Sequence, residues 1–209
     1  MKHIKNIIFD LGGVIINLDI AATIQAFNDL SDVPFEQIYT QAKQNDLFNA
    51  FDKGTISEFD FFEALRKEIR FNGPDELIYA AWNKMLLDVP QERLDLLIDA
   101  KQNYRTYLLS NTNETHIAVF EHDLYQTRGV RNFNDYFDHV YYSCRMGMRK
   151  PDAEIFNYVL TKNKMLPSET VFIDDSEQHV KAAGELGINA YLLPPNMEVG
   201  TLLKELQLL

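Results

Sequence analysis

The chain reads as an α/β protein: a parallel sheet of about five strands with helices on both faces, interrupted after the first strand by an all-helical segment. Three observations predict it. Ile7-Ile8-Phe9 is a short apolar run that ends in Asp10 and meets Leu11-Gly12-Gly13 at once, the pattern of a buried strand that breaks at its C-terminal end. From about Ile20 to Leu87, Phe, Tyr, Asp, Glu and Lys are mixed at helical spacing with few strand-like runs. From Pro90 onward helix and strand patterns alternate, which implies parallel strands joined by right-handed crossovers.

Taken in order, the first strand places Asp10 at its tip, and ligands of open α/β sheets collect outside the carboxyl ends of strands. A charge ending an apolar strand is therefore a better site candidate than one on a helix face. In the helical segment, Thr55 to Glu58 and Ser57 to Asp60 both fit a capping box, followed by Phe62, Leu65 and Ile69 on one face. Gly73-Pro74 is expected to end that helix. Another begins near Asp75 and carries Leu77, Ile78, Ala81, Trp82 and Met85. The aromatic residues here read as the core of a small helical unit, some of them able to line a pocket.

Beyond Pro90, Leu94, Leu97 and Ile98 share a helix face before the strand Tyr104 to Leu109, which ends in Ser110-Asn111-Thr112-Asn113. A helix from about Glu114 to Tyr125 leads to the strand His139 to Ser143. Lys150-Pro151-Asp152 opens the next helix, with Pro expected in its first turn, where a missing N–H costs little. The strand Val171-Phe172-Ile173 ends in Asp174-Asp175. A helix through Ala182 and Ala183 stops at Gly187, and Asn189 to Leu193 is the last strand. These boundaries place residues 1–17 and 88–209 in the α/β unit and residues 18–87 in the insertion.

With 209 residues, 46% of them hydrophobic, the chain is long enough for one compact domain with an insert. A net charge of -11 opposes binding to nucleic acid or an anionic membrane surface, since such partners select a basic face. The single cysteine, Cys144, excludes an internal disulfide and a Cys cluster for zinc, and fits a reducing cytoplasm. It reads as a buried small residue, not a nucleophile. The apolar stretch near the N-terminus is too short for a signal peptide, and no run approaches the ~20 apolar residues of a membrane helix.

Asp10, Ser110, Lys150 and the Asp174-Asp175 pair stand at the ends of separate strands or in the loops that follow, so the sheet would bring them to one rim. Three carboxylates at one rim repel one another and need a cation, and all-oxygen ligation is what Mg²⁺ takes. A lysine beside a metal suits a phosphoryl group, whose oxygens demand positive charge and donors. A carboxylate there can also attack phosphorus, splitting hydrolysis into two steps through an aspartyl-phosphate.

Four segments in this order resemble the motifs of the haloacid dehalogenase (HAD) superfamily: Phe9-Asp10-Leu11-Gly12-Gly13-Val14, Leu109-Ser110-Asn111, Arg149-Lys150-Pro151-Asp152 and Ile173-Asp174-Asp175. With the insertion between the first and second motifs, the chain resembles the subgroup that carries a C1 helical cap over a Rossmann-like core. Within it the chain is similar to bacterial sugar-phosphate phosphatases of the α-D-glucose-1-phosphate phosphatase type, through Asp10-Leu11-Gly12, Ser110-Asn111-Thr112-Asn113 and Gly147-Met148-Arg149-Lys150-Pro151. The resemblance implies that Asp10 is the nucleophile and a Mg²⁺ ligand and that the main-chain oxygen of Gly12 is a second ligand. It further implies that Asp175 binds the metal directly, while Asp174 does so through water or orients the site. Ser110 and the N–H of Asn111 would hold phosphate oxygens, and Lys150 would pair with phosphate and Asp10. The implied partner is a small phosphorylated metabolite, the implied assembly a monomer or homodimer. His179, four residues after Asp175, receives no role. For Thr112, Asn113, His116 and Arg149, substrate contact and turn or cap duty explain the residues equally well.

One departure matters. Most phosphatases of this superfamily carry a second Asp two residues after the nucleophile as general acid and base, and here that position is Gly12. General acid–base help is worth ~100- to 10,000-fold, so its absence favours a good leaving group such as a sugar C1 hydroxyl. The proton could also come from Asp19 or from Asn17 with bound water, or turnover could be impaired. Two rival functions follow: a 2-haloacid dehalogenase, whose metal-free chemistry the Asp174-Asp175 pair counts against, and a binding or regulatory module that has lost turnover.

Overall fold

The computed structural model describes residues 3–39 and 46–209. The expected helical character of residues 40–45 lies outside the described residues.

Five strands form one sheet: β1 (Asn6–Phe9), β2 (Arg105–Ser110), β3 (His139–Tyr142), β4 (Thr170–Asp174) and β5 (Asn189–Leu192). Their order is β3-β2-β1-β4-β5 and every pairing is parallel. Among the described residues, ten α-helices connect or extend them: α1 (Ile20–Leu30), α2 (Asp46–Asp52), α3 (Glu58–Glu68), α4 (Asp75–Asn83), α5 (Gln91–Asn103), α6 (Glu114–Arg128), α7 (Ser143–Met146), α8 (Ala153–Lys162), α9 (Glu177–Glu185) and α10 (Val199–Glu205).

The central strand shows why both faces must be covered. Ile7 and Phe9 point one way and join Leu108, Val171 and Ile173 in a cluster with Leu94 and Leu97 of α5, Ile117 and Phe120 of α6 and Leu203 of α10. Ile8 points the other way and joins Tyr107, Leu109 and Phe172 against Ile155, Phe156 and Val159 of α8 and Ala183 of α9. A strand buried on both faces reads as a continuous apolar run, which is how Ile7-Ile8-Phe9 reads. Residues of the insertion build a third cluster of their own, with Phe27, Phe35, Phe48, Phe61 and Trp82 at its centre. Phe51 and Phe61 stack at 3.9 Å between centroids, and Phe61 lies 5.3 Å from the Trp82 ring.

The insertion leaves and re-enters the α/β unit through two segments that lie side by side. Asn17 donates its N–H to the Asp88 carbonyl and accepts at its own carbonyl from Leu87, each at 3.0 Å. Leu18 and Leu86 form an antiparallel bridge beside them. Further contacts tie the insertion to the sheet rim. Ser143 Oγ donates to the Asp52 carbonyl at 2.6 Å, Lys53 pairs with Asp152 at 2.9 Å, and Thr115 Oγ1 donates to Glu58 Oε2 at 2.7 Å.

Several local expectations are corrected. Of the two capping boxes, Ser57 is the cap: its hydroxyl accepts from the Asp60 N–H at 3.1 Å and donates to the Asp60 carboxylate at 2.6 Å. Helix α3 ends before Gly73-Pro74, with Ile69 as its C-cap and Arg70 turning to φ 53°. Pro151 is not in a helical first turn, because α8 starts at Ala153 with Asp152 as N-cap. The reason lies one residue earlier. The Asn111 side chain accepts from the Lys150 N–H at 2.9 Å and donates to the Lys150 carbonyl at 2.8 Å, so that backbone is already committed outside a helix. The sequence reading also omitted α10, whose Val199, Leu202 and Leu203 close one face of the sheet. Among the described residues, no helix is long and apolar enough to cross a membrane.

Gly54 follows α2 with φ +65°, and a Cβ there would stand 2.1 Å from the Cys144 carbonyl oxygen. Both the backbone angle and the close approach require glycine. Gly54→Ala is expected to destabilise the fold by about 1–3 kcal/mol, as overpacking against backbone does, read as a lowered urea midpoint. An unchanged midpoint would show that this junction relaxes freely.

Candidate active site

The sheet order puts β2 and β4 on either side of β1, so the ends of three adjacent strands present Ser110, Asp10 and Asp174 at one rim. All three are buried, as is Lys150, which reaches the rim from the segment between α7 and α8. Lys150 Nζ donates to Asp10 Oδ1 at 2.7 Å and to Asp174 Oδ2 at 2.6 Å. The other Asp174 oxygen accepts from the Ser176 N–H at 2.8 Å and from His179 Nδ1 at 3.0 Å. Asp174 therefore holds Lys150 and His179 in place. Asn111 fixes the Lys150 backbone, and Ser110 Oγ makes a long 3.4 Å contact to the Asn111 carbonyl.

Asp10, Asp174 and Asp175 each bring a carboxylate oxygen within 4.8 Å of the others. Burial raises Asp10 to about 7, with Asp174 and Asp175 adding to the rise and Lys150 opposing it. Burial also disfavours charge on Asp174, but Lys150 and His179 outweigh it and hold that group at about 2. For Lys150 burial would lower the value, and Asp10 and Asp174 overcome it and raise it. Lys150 pairs with two of these three clustered carboxylates, and the donor set is hard oxygen, which fits a divalent cation such as Mg²⁺. The backbone is shaped around the same group. Gly13 has φ +71°, and a Cβ on it would stand 2.5 Å from Asp175 Oδ2.

These residues open onto a cavity shared with the insertion, lined from the rim by Asp10, Gly12, Ser110, Asn111, Lys150 and Asp175. The insertion contributes Asp52, Trp82 and Met85. Of the residues with an open assignment, Thr112, Asn113, His116 and Arg149 all line this cavity. Asn17 and Asp19 do not. Asn17 donates its side-chain amide to Asp88 at 3.0 Å, and Asp19 caps α1 by accepting from Ala22 at 3.0 Å. A Cβ on Gly12 would meet only the tip of Leu18, at 2.7 Å. Sequence reasoning missed Asp52, which sits in a charged helical stretch with no distinguishing signal, and gave His179 no role. The signal for His179 was its place one turn after the acidic pair.

His116 connects the cavity to the insertion. Its ring stacks on Trp82 with centroids 4.9 Å apart and planes 17° apart. Nε2 lies 3.3 Å from the Trp82 carbonyl, which only accepts, so Nε2 carries the hydrogen and Nδ1 accepts from Asn113 Nδ2 at 3.4 Å. Protonating Nδ1 would set donor against donor. Burial pushes His116 down to about 4, with the Trp82 carbonyl opposing. The unfolded chain binds this proton below about pH 6.5 and the folded chain does not, so stability is lost as pH falls from 6.5 towards 4. The loss is at most roughly 3 kcal/mol. Asp10, raised by burial, acts in the opposite sense over an overlapping range, so the readout is a difference. His116→Gln is expected to be less acid-sensitive than the parent in urea melts across pH 4 to 7. Parallel stability curves would contradict the assignment.

Comparison with known proteins agrees with this geometry. A sequence model for haloacid dehalogenase-like hydrolases matches residues 4–187. The chain is 31% identical over 188 residues to a D-ribitol-5-phosphate phosphatase from Bacteroides thetaiotaomicron, covering 90% of this chain and 91% of that one. A HAD family enzyme from the same organism, crystallised as a point mutant with magnesium and inorganic phosphate, superposes with a TM-score of 0.89. It is 37% identical and the match covers 95% of this chain and 98% of that one. A HAD-like family hydrolase from Porphyromonas gingivalis superposes with a TM-score of 0.84 at 31% identity, covering 98% of both chains. The parallel five-stranded sheet, the buried Asp10–Lys150–Asp174 cluster and these matches together place the chain in the haloacid dehalogenase-like hydrolase family.

Proposed function

We propose that the protein is a Mg²⁺-dependent phosphatase of a small phosphorylated sugar or sugar alcohol, acting through an aspartyl-phosphate on Asp10. The observation that carries this reading is the pairing of Asp10 Oδ1 with a fully buried ammonium at 2.7 Å, beside a triplet of carboxylate oxygens. The magnesium and phosphate bound to the similar HAD enzyme and the substrate named for the 31% identical relative support it. Asp10, Asp175 and the Gly12 carbonyl would hold the metal, with Asp174 acting through water or orienting the site. Bound magnesium supplies positive charge that offsets repulsion between Asp10 and an incoming phosphate.

The chain's own residues then divide the work. Lys150, Ser110 and the Asn111 N–H hold phosphate oxygens, and Lys150 keeps one Asp10 oxygen oriented. The other Asp10 oxygen attacks phosphorus, the bond to the ester oxygen breaks, and that oxygen leaves with its electron pair and takes up a proton. Water then attacks the phosphorus of the aspartyl-phosphate, releasing inorganic phosphate and restoring Asp10. Residues 18–87 act as a cap over the unit formed by residues 1–17 and 88–209, closing over bound substrate to exclude water.

With Gly12 in place of a general acid, and Asn17 and Asp19 engaged elsewhere, the leaving group must be able to depart with little help. This favours sugar C1 phosphates. The named relative favours a second reading, a polyol phosphate esterified at a primary carbon. Phosphate release with Mg²⁺ across sugar C1 phosphates, D-ribitol 5-phosphate, other terminal sugar phosphates, nucleotides and flavin mononucleotide separates them. Preference for C1 phosphates supports the leaving-group account. Faster cleavage of the polyol phosphate defeats that account while keeping the phosphatase. Silence on every ester, with Mg²⁺ bound, defeats the phosphatase reading.

A further inference from the structure

The cavity offers more than an anion site. Beyond the phosphate end at Asp10, Ser110 and Lys150, its lining combines apolar side chains such as Leu18, Ile20 and Trp82 with a polar group of Asp52, Arg149 and His179. Resting on the phosphatase reading above, we propose that Arg149, Asp52 and His179 form a hydroxyl-binding subsite that reads the carbon chain of a polyhydroxylated phosphate ester.

Arg149 and His179 each have an unused donor or acceptor atom. Arg149 Nη2 stands 3.8 Å from Asp52 Oδ2, beyond hydrogen-bond distance, although both side chains are largely buried. Arg149 Nη1 is held by Asn49 Oδ1 of α2, which fixes the guanidinium plane. Among the described residues, Arg149 Nε and His179 Nε2 are buried without a hydrogen-bond partner. Trp82 Nε1, on the same cavity lining, is also without a partner; buried polar atoms almost always find partners, so three such atoms on residues lining one cavity mark a place where partners arrive with a ligand.

The chemistry of that ligand follows from the groups. A hydroxyl both donates and accepts: it can accept from Arg149 Nε, donate to the Asp52 carboxylate, and meet His179 Nε2 in either protonation state. Successive hydroxyls along a polyol suit three such groups spread over one lining, while its C–H faces suit Leu18, Ile20 and the Trp82 ring. A plain alkyl phosphate of the same length leaves the polar groups unpaired. A site built to bond hydroxyls rejects analogues that lack them far more strongly than an apolar pocket rejects an extra hydroxyl. Arg149 and Asp52 come from the α/β unit and the insertion respectively, so the subsite is complete only when the two are together.

The test compares binding, so it does not depend on turnover. In an Asp10→Asn background with Mg²⁺, calorimetry measures the Kd of D-ribitol 5-phosphate, n-pentyl phosphate and inorganic phosphate. The polyol phosphate is expected to bind at least about tenfold tighter than the pentyl ester. Arg149→Met, and separately Asp52→Asn, should bring that ratio close to one while inorganic phosphate binding is kept. A ratio near one in the Asp10→Asn background overturns the proposal. So does a ratio that survives both substitutions, an equal loss of inorganic phosphate binding, or no measurable binding of the polyol phosphate. A preserved ratio without turnover of any ester by the unsubstituted enzyme would defeat the phosphatase reading and leave the subsite standing. Turnover with a ratio near one would do the reverse.

Discussion

Asp10→Asn is expected to lower steady-state phosphate release by about 10⁴-fold or more, the scale seen when a nucleophile is removed from a group that acts as a unit. The amide keeps the shape of the carboxylate and loses its nucleophilicity. Binding should persist, because Ser110, Asn111 and Lys150, the groups proposed to hold the phosphate, are unchanged. Stability is expected to hold or rise. Burial and the neighbouring Asp174 and Asp175 make charge on Asp10 costly, while Lys150 keeps its 2.6 Å partner in Asp174. A variant that is inactive because it has unfolded would melt early, so thermal unfolding beside the assay separates the two. Retention of even a tenth of the activity would remove Asp10 from the proposed chemistry.

Lys150→Met is expected to cost both activity and fold. The ammonium is fully buried and is the hydrogen-bonding cation of both Asp10 and Asp174. Its removal leaves buried carboxylates uncompensated, a loss of about 3–5 kcal/mol when one partner of a buried pair is deleted. The sign with pH can be worked out. Without Lys150 both carboxyls are pushed further up, so they take protons in the folded state at pH values where the unfolded chain is ionised. The variant should therefore recover stability as pH falls from 8 towards 5, and added Mg²⁺ should recover part of it at pH 8 by mass action. Urea melts at both pH values, with and without Mg²⁺, measure this. A loss under about 1 kcal/mol at pH 8 would mean that water replaces the ammonium at little cost.

The rim residues were legible in the sequence because each stands where an apolar run stops. Asp10 after Ile7-Ile8-Phe9, Ser110 after Leu108-Leu109 and Asp174 after Phe172-Ile173 carry the signal in two or three neighbours, and a parallel sheet does the rest. Helix faces were less legible. Leu77 and Ile98 fit the helical period yet are exposed, because the buried stripes run through Ile78, Ala81 and Trp82 and through Leu94, Leu97 and Ala100. Periodicity locates a stripe to within one residue on each side, and packing decides which edge is covered.

What the sequence hid depends on contacts made from far along the chain. Asp52 looks like part of a solvated helix, but its carbonyl accepts from Ser143, 91 residues away, and its side chain turns into the cavity wall. Arg93 is buried because Glu198, 105 residues on, pairs with it at 3.0 and 3.1 Å and because its Nη1 donates to the Ile15 carbonyl. Pro151 falls two positions before the first helical residue for the same reason: the Asn111 side chain, 39 residues earlier, takes both backbone groups of Lys150. No local pattern carries such information.

The most direct test of Asp10 as the attacking group is the stereochemical course at phosphorus. A phosphorothioate monoester of the preferred substrate, made chiral with oxygen isotopes, is hydrolysed with Mg²⁺ in isotopically labelled water, and the configuration of the released thiophosphate is determined. Two successive in-line displacements, the first by Asp10 and the second by water, predict overall retention. Overall inversion would mean that water attacks the substrate directly, and Asp10 would then be only a ligand in the site.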